Sequence, residues 1–83
     1  MYELVFDEQA LKSLHKLPQE ISSRIIKKLQ QAKTTPRSFF KRLTAINAYS
    51  LRVGDYRAVA DITESTIVVL YVDHRKRVYD RLD

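Results

Sequence analysis

With 83 residues, 45% of them hydrophobic and 30% charged, the chain has the composition of one small globular domain over residues 1–83, and disorder and repeat arrays are excluded. The 15 Lys and Arg residues outnumber the 10 Asp and Glu residues, so the net charge is +5 and a nucleic-acid partner becomes plausible. Cysteine is absent, which excludes disulfides, a thiolate nucleophile and a cysteine-based zinc site. We find no membrane-spanning segment and no signal peptide, and therefore expect a cytoplasmic protein.

The N-terminal part of the chain predicts a strand followed by a helix. Residues 2–6, "YELVF", alternate as in a short strand. Asp7 is a suitable N-cap for the helix that follows. The apolar residues that recur at helical spacing in it are Ala10, Leu11, Leu14 and Leu17.

A second helix is predicted to begin at Pro18, because the first helical position tolerates the missing N–H of proline. Its apolar stripe consists of Ile21, Ile25, Ile26, Leu29 and Ala32. The short break at Pro18 predicts that the two helices form a hairpin.

Residues 34–48 are predicted to form a connection with at most one short turn or strand, because Pro36 ends the helical pattern and no periodicity replaces it. Phe39 and Phe40 lie within this segment. We expect them to cover the thin core beneath the loop, since buried apolar area is scarce in so small a domain.

Three strand-like runs follow, "YSLRV", "YRAVADIT" and "TIVVLYVDH". Two-residue connections at Gly54-Asp55 and at Glu64-Ser65 would join them into a three-stranded antiparallel meander. The sequence thus predicts an α+β fold in which a two-helix hairpin packs on one face of a small, mostly antiparallel sheet.

Alternation along these strands predicts which side chains share a face. The face expected to meet the helices carries Tyr49, Leu51, Val53, Tyr56, Ala58, Ala60, Ile62, Ile67, Val69 and Tyr71. On the opposite face the turn would pair Arg52 directly with Arg57. Arg57 would then pair with Val72, which places His74 diagonal to Arg57.

Two opposed guanidiniums are destabilising, so their pairing requires an explanation. One possibility is that the side chains splay apart and cover neighbouring apolar residues with their stems. The other is that an anion such as phosphate lies between Arg52 and Arg57, close to His74. The basic run that follows, "HRKRVY", favours the second interpretation.

The stretches "YSLRVGDYRAVADI" and "VVLYVDHRKRVY", together with the order of elements, resemble the RelE/ParE superfamily of toxins from toxin–antitoxin pairs. The resemblance covers nearly the whole chain and favours the RelE-like branch. RelE-like members are ribosome-dependent endoribonucleases that cut mRNA. ParE-like members share the fold, block DNA gyrase and lack the catalytic residues.

The resemblance also implies site residues, because Arg52, Arg57, Arg75 and Tyr79 match positions that RelE-type members use for cleavage. Ser50 departs from the pattern, since well-studied members carry there a lysine proposed as a base. Proton transfer would fall to His74, because imidazole commonly serves as a general acid and base, or to Tyr79, which could instead stack on an RNA base. The predicted catalytic set is Arg52, Arg57, His74, Arg75 and Tyr79.

The predicted function is therefore metal-independent mRNA cleavage on the ribosome, with a cognate antitoxin, the ribosome and mRNA as partners, and with no cofactor and no membrane. Two alternatives stay open, a ParE-like gyrase inhibitor and a basic nucleic-acid-binding module without toxicity. Contacts to the RNA backbone are predicted for Lys27, Lys28, Lys33, Arg37, Lys41, Arg42 and Arg77.

Overall fold

A computed structural model describes residues 1–43 and 47–77 of the chain. A strand and two helices come first, and short elements then lead into a meander of three strands. The elements are β1 (Glu3–Phe6), α1 (Glu8–Lys16), α2 (Gln19–Ala32), α3 (Pro36–Phe39), β2 (Lys41–Arg42), β3 (Tyr49–Val53), β4 (Tyr56–Ile62) and β5 (Thr66–His74). The predicted α+β class is confirmed.

The five strands of the described residues belong to one sheet, in the order β1-β5-β4-β3-β2. Strands β3, β4 and β5 form the predicted antiparallel meander, and β2 adds an antiparallel pair to β3. Strand β1 lies parallel to β5, so the first and last strands of the chain are neighbours. The helices between β1 and the meander supply the crossover that a parallel pair requires.

Both long helices form for the local reasons that the sequence indicates. The carboxylate of Asp7 caps α1 by accepting a hydrogen bond from the Gln9 N–H at 3.2 Å. Pro18 is the N-cap of α2, so the helix begins at Gln19, one residue later than predicted. None of the helices in the described residues is long and apolar enough to cross a membrane.

The main core lies between the helices and one face of the sheet. Phe40 is buried there and Phe39 packs against it, which confirms their predicted role. Ile26 is 37% exposed, so its predicted place in the buried stripe of α2 is wrong. Successive side chains of a helix point about 100° apart. Because Ile25 points into the core, the next side chain, Ile26, points partly toward solvent. The buried members are Ala10, Leu14, Ile25, Leu29, Ala32, Phe40, Leu51, Ala58, Ala60, Ile67, Val69 and Val72.

A register shift interrupts the ladder between β4 and β5. Val59 pairs with Tyr71 and Ala60 pairs with Val69, so Leu70 is an extra residue on β5, as in a β-bulge. Alternation is reversed beyond this point, and Val72 lies in the core with 2% of its surface exposed. The predictions that Tyr71 faces the helices and that Val72 faces away from them are therefore wrong.

Truncation of Leu14 tests the assignment of the core. Leu14 and Leu11 lie on the same helix, but Leu14 is 7% exposed and Leu11 is 50% exposed. We expect Leu14→Ala to lower the free energy of unfolding by about 2–5 kcal/mol, because it leaves a cavity. Leu11→Ala is the matched control, with an expected cost of less than about 1 kcal/mol. Urea denaturation measures both, and equal losses would contradict the assigned packing of α1.

Candidate nucleic-acid interface

The turn between β3 and β4 determines the register of the candidate site. Gly54 has a φ of 59°, and it is the only residue with a positive φ among those that the structure describes. A positive φ at the first turn residue alone is the pattern of a type II′ hairpin turn, which suits the twist of the flanking strands. Val53 pairs with Tyr56, and Arg52 pairs with Arg57. The predicted turn and the predicted arginine pair are both confirmed.

The two guanidiniums extend in opposite directions along the hairpin. Nε of Arg52 donates a hydrogen bond to the Gly54 carbonyl at 3.0 Å, at the turn. Nη1 of Arg57 donates to Oγ of Ser50 at 3.4 Å, further from the turn. The side chains therefore splay apart, and this arrangement relieves the repulsion that direct pairing would impose. Of the two possibilities that the sequence leaves for this pair, the structure therefore shows the splayed side chains.

Strand pairing places two rows of side chains on the face that points away from the helices. The first row runs across three strands as Arg52, Arg57 and Asp73. The second row runs across four strands as Lys41, Ser50, Val59 and Tyr71. We call this surface the open face.

The bulge at Leu70 changes the partners that the sequence predicts for β5. Arg57 pairs with Asp73 rather than with Val72. His74 pairs with Tyr56, whose side chain packs against the main core, and the two rings meet edge to face with centroids 5.6 Å apart. The predicted convergence of His74 with Arg52 and Arg57 is therefore wrong, because one extra residue moves His74 to the other face.

Arg75 is attached to the same hairpin turn through its backbone. Its N–H donates to the Asp55 carbonyl at 2.8 Å, so the residues that follow β5 begin beside the β3–β4 turn. The Arg75 side chain is exposed. Tyr79 lies outside the described residues.

A small second core lies beneath the open face. Val59 is fully buried there, and Ala48 is 4% exposed. Leu43, Leu70 and Tyr71 pack against them. Ser50 is 2% exposed, and Nε of Arg57 is also buried. Low solvent access strengthens electrostatic interactions at this point of the face.

The residues predicted to contact the RNA backbone do not form one surface. Lys41 lies on the open face because it pairs with Ser50, whereas Arg42 pairs with Tyr49 and lies on the other face. Lys28 is half-buried, and its Nζ donates to the Arg52 carbonyl at 2.9 Å, so it attaches α2 to β3. Lys33 is half-buried as well. The exposed members of the set are Lys27, Arg37, Lys41, Arg42 and Arg77.

Sequence reasoning missed one polar residue of the open face, Asp73. The only available signal was the uninterrupted apolar run of β5, "IVVLYV", which does not reveal where the alternation reverses. The shared face of Lys41 and Ser50 also required the pairing of β2 with β3.

Comparison with known proteins assigns the chain to a family. Residues 4–79 match the family model described as the ParE toxin of type II toxin–antitoxin systems. This chain belongs to the ParE toxin family. A search of curated proteins gave no match.

Solved structures place this toxin close to RelE proteins within the RelE/ParE superfamily. The toxin–antitoxin complex RelBE2 from Mycobacterium tuberculosis matches with 32% identity and a TM-score of 0.81, over 89% of this chain and 98% of that one. The RelB–RelE complex from Methanococcus jannaschii matches with 27% identity and a TM-score of 0.74, over 92% and 95%. The intact RelBE complex from E. coli matches with 26% identity and a TM-score of 0.77, over 89% and 96%. The predicted superfamily is confirmed.

Replacing Lys28 tests the attachment of α2 to the arginine-bearing strand. We expect Lys28→Ala to lower the free energy of unfolding by about 0.5–1.5 kcal/mol, because the hydrogen bond to the Arg52 carbonyl is lost. Lys27→Ala removes the same side chain from the exposed neighbouring position and should change stability by less than about 0.5 kcal/mol. Urea midpoints at unchanged m-value measure the difference. Equal midpoints for the two variants would show that the bond does not contribute.

Proposed function

We propose that this toxin is a ribosome-dependent endoribonuclease that cleaves mRNA without a metal ion. The observation that carries the proposal is the hairpin turn at Gly54 and Asp55. Arg52 and Arg57 pair beside it, and the backbone of Arg75 bonds to it. Three permanently charged residues are thereby grouped around one turn, and they match the positions that the resemblance to RelE-type toxins implies.

Cleavage by the 2′-hydroxyl requires the removal of its proton, stabilisation of charge on the phosphate, and a proton for the departing 5′-oxygen. Arginine serves the second requirement because its guanidinium is always charged and can donate two parallel hydrogen bonds to phosphate. Arg57 is half-buried and bonds to Ser50, which restricts its position before RNA arrives. Arg52 is exposed, and rotation away from the Gly54 carbonyl would bring it to a phosphate bound near Arg57.

The groups that move protons stay predictions. Tyr79 is assigned through the resemblance alone. His74 is also predicted for this role, but it lies on the other face of the sheet from Arg52 and Arg57. Ser50 is nearly buried and replaces the lysine of well-studied RelE-type toxins, so it supplies no comparable base. Lys41 is the cross-strand neighbour of Ser50 and provides a positive charge on the same face.

The proposed partners follow from the family and its solved relatives. The matched M. tuberculosis, M. jannaschii and E. coli structures are complexes of a toxin with its antitoxin, and we propose a cognate antitoxin for this chain. The ribosome and mRNA are the proposed targets, and the cytoplasm is the proposed location.

Gyrase inhibition is the second candidate function. One observation favours it, since the family model that matches residues 4–79 is described as the ParE toxin. A toxin that acts by binding alone does not require Arg57 to stabilise a transition state.

Substitution of Arg57 tests the nuclease proposal. On translating ribosomes programmed with a defined mRNA, we expect wild-type protein to produce cuts that primer extension maps, and only when ribosomes are present. Arg57→Ala should lower the single-turnover rate by about 10²–10³-fold, as expected for the loss of one donor to a developing charge. Arg24→Ala removes an exposed arginine of α2 and should retain the wild-type rate.

Two results would contradict the nuclease proposal. One is an intact message with the wild-type protein, which would direct the test to a gyrase supercoiling assay. The other is equal cleavage by wild type and Arg57→Ala. If naked RNA is cut to the same extent, the protein is still a nuclease, and only its proposed dependence on ribosomes is contradicted.

Lys41 tests whether the open face contacts phosphate. Binding to ribosomes that carry a 2′-deoxy-substituted, uncleavable message can be measured at several salt concentrations. We expect Lys41→Ala to reduce the slope of log K against log salt by about 0.7–0.9, because one phosphate contact is lost. Lys12→Ala, which removes an exposed lysine of α1, should leave the slope unchanged. The same slope for wild type and Lys41→Ala would contradict a phosphate contact at this position.

A further inference from the structure

The junction between β5 and the residues that follow it contains three consecutive backbone N–H groups, and each has an acceptor. The N–H of His74 donates to Oδ1 of Asp73 at 2.8 Å. The N–H of Arg75 donates to the Asp55 carbonyl at 2.8 Å. The N–H of Lys76 donates to Nδ1 of His74 at 3.3 Å. Residues 75–77 are helical, so these are N–H groups that the first turn of a helix leaves without intrahelical partners.

The contact between His74 and Lys76 has the form of a helix N-cap. An N-cap side chain accepts a hydrogen bond from the backbone N–H two or three residues later, a role in which Asn, Asp, Ser and Thr are preferred. Here Nδ1 of His74 accepts from the residue two positions on. The acceptor role requires a lone pair on Nδ1, so the ring proton of the capping form lies on Nε2.

A second contact, with the ring of Tyr56, also holds the imidazole. The His74 ring meets the Tyr56 ring edge to face, with an interplanar angle of 76°. His74 and Tyr56 are also cross-strand partners, so the contact follows from the register beyond the bulge. An aromatic pair of this geometry is favourable and restricts the position of the imidazole ring, while the hydrogen bond from Lys76 defines the direction of Nδ1.

We infer that His74 is a positioning residue, whose Nδ1 caps residues 75–77 and holds Arg75 at the β3–β4 turn, and that it does not transfer protons. The turn residue Asp55 holds Arg75 through its carbonyl, while the preceding Gly54 carbonyl holds the Arg52 side chain. Loss of the cap would therefore displace Arg75 relative to Arg52. The consequence for cleavage rests on the proposed nuclease function, whereas the cap itself does not.

Three substitutions separate a capping role from proton transfer. His74→Asn places an amide oxygen at the position of Nδ1 and cannot titrate in the working pH range. His74→Gln carries its amide one bond further out and removes the acceptor at that position. His74→Ala removes the acceptor altogether. All three variants lose the ring contact with Tyr56, so the acceptor is the feature that distinguishes them.

Single-turnover cleavage on programmed ribosomes is the first readout. We expect His74→Asn to cleave within about threefold of wild type with the same pH profile, because it keeps the cap. His74→Ala and His74→Gln should lose about three- to tenfold, the size expected for a missing N-cap. A loss of about 10²-fold or more in His74→Asn, together with a changed pH profile, is the signature of general acid–base catalysis and would overturn the inference.

Amide hydrogen exchange at Lys76 is the second readout, and it is independent of nuclease activity. We expect slow exchange in wild type and His74→Asn, and exchange about three- to tenfold faster in His74→Gln and His74→Ala. Unchanged exchange in the last two variants would overturn the cap. A ¹⁵N spectrum of the imidazole that shows the proton on Nδ1 would overturn it too. If wild-type protein cuts no message, the nuclease proposal fails, and exchange alone decides the cap.

Discussion

The left-handed turn at Gly54 is the constraint on which the candidate site depends. Its φ of 59° is accessible to glycine without the steric cost that a β-carbon imposes. The turn sets the register that places Arg52 opposite Arg57. Its two carbonyls then hold the Arg52 side chain and the Arg75 backbone. One glycine therefore determines how three cationic residues are placed relative to one another.

The bulge at Leu70 is the second constraint, because it gives β5 two different faces along its length. Before the bulge Val69 lies in the core, and after it Val72 does. A regular strand would turn Val72 and His74 toward the open face. The extra residue instead brings Tyr71 and Asp73 to that face and leaves His74 against Tyr56. Bulges often re-aim side chains near functional sites in this manner.

The open face combines features that favour binding of a polyanion. Its exposed cations lie above a small apolar layer around Val59, and Arg57 is half-buried among them. Asp73 adds one negative charge opposite Arg57, which moderates the local potential. The fold itself does not distinguish a nuclease from a gyrase inhibitor, because the superfamily contains both. The difference lies in the chemistry of these few side chains.

Sequence reasoning found most of the fold because local signals for it agree. Asp7, Pro18 and the apolar periodicities define the helices, and Gly54 with Asp55 defines the hairpin. It did not find that β1 and β2 flank the meander on opposite edges, since pairing between distant strands depends on the assembled sheet.

The pairing of Arg52 with Arg57 could also be predicted from a local signal. It depends only on the length of the turn at Gly54 and Asp55. The directions of the two guanidiniums depend on carbonyl and hydroxyl acceptors at Gly54 and Ser50, which only the folded hairpin presents. The sequence by itself determined the two long helices, the strands of the meander, the turn between β3 and β4, and the basic residues. The tertiary structure alone decided which residues of β5 share a face with the arginines, because a single extra residue reverses the side chains that follow it within the strand.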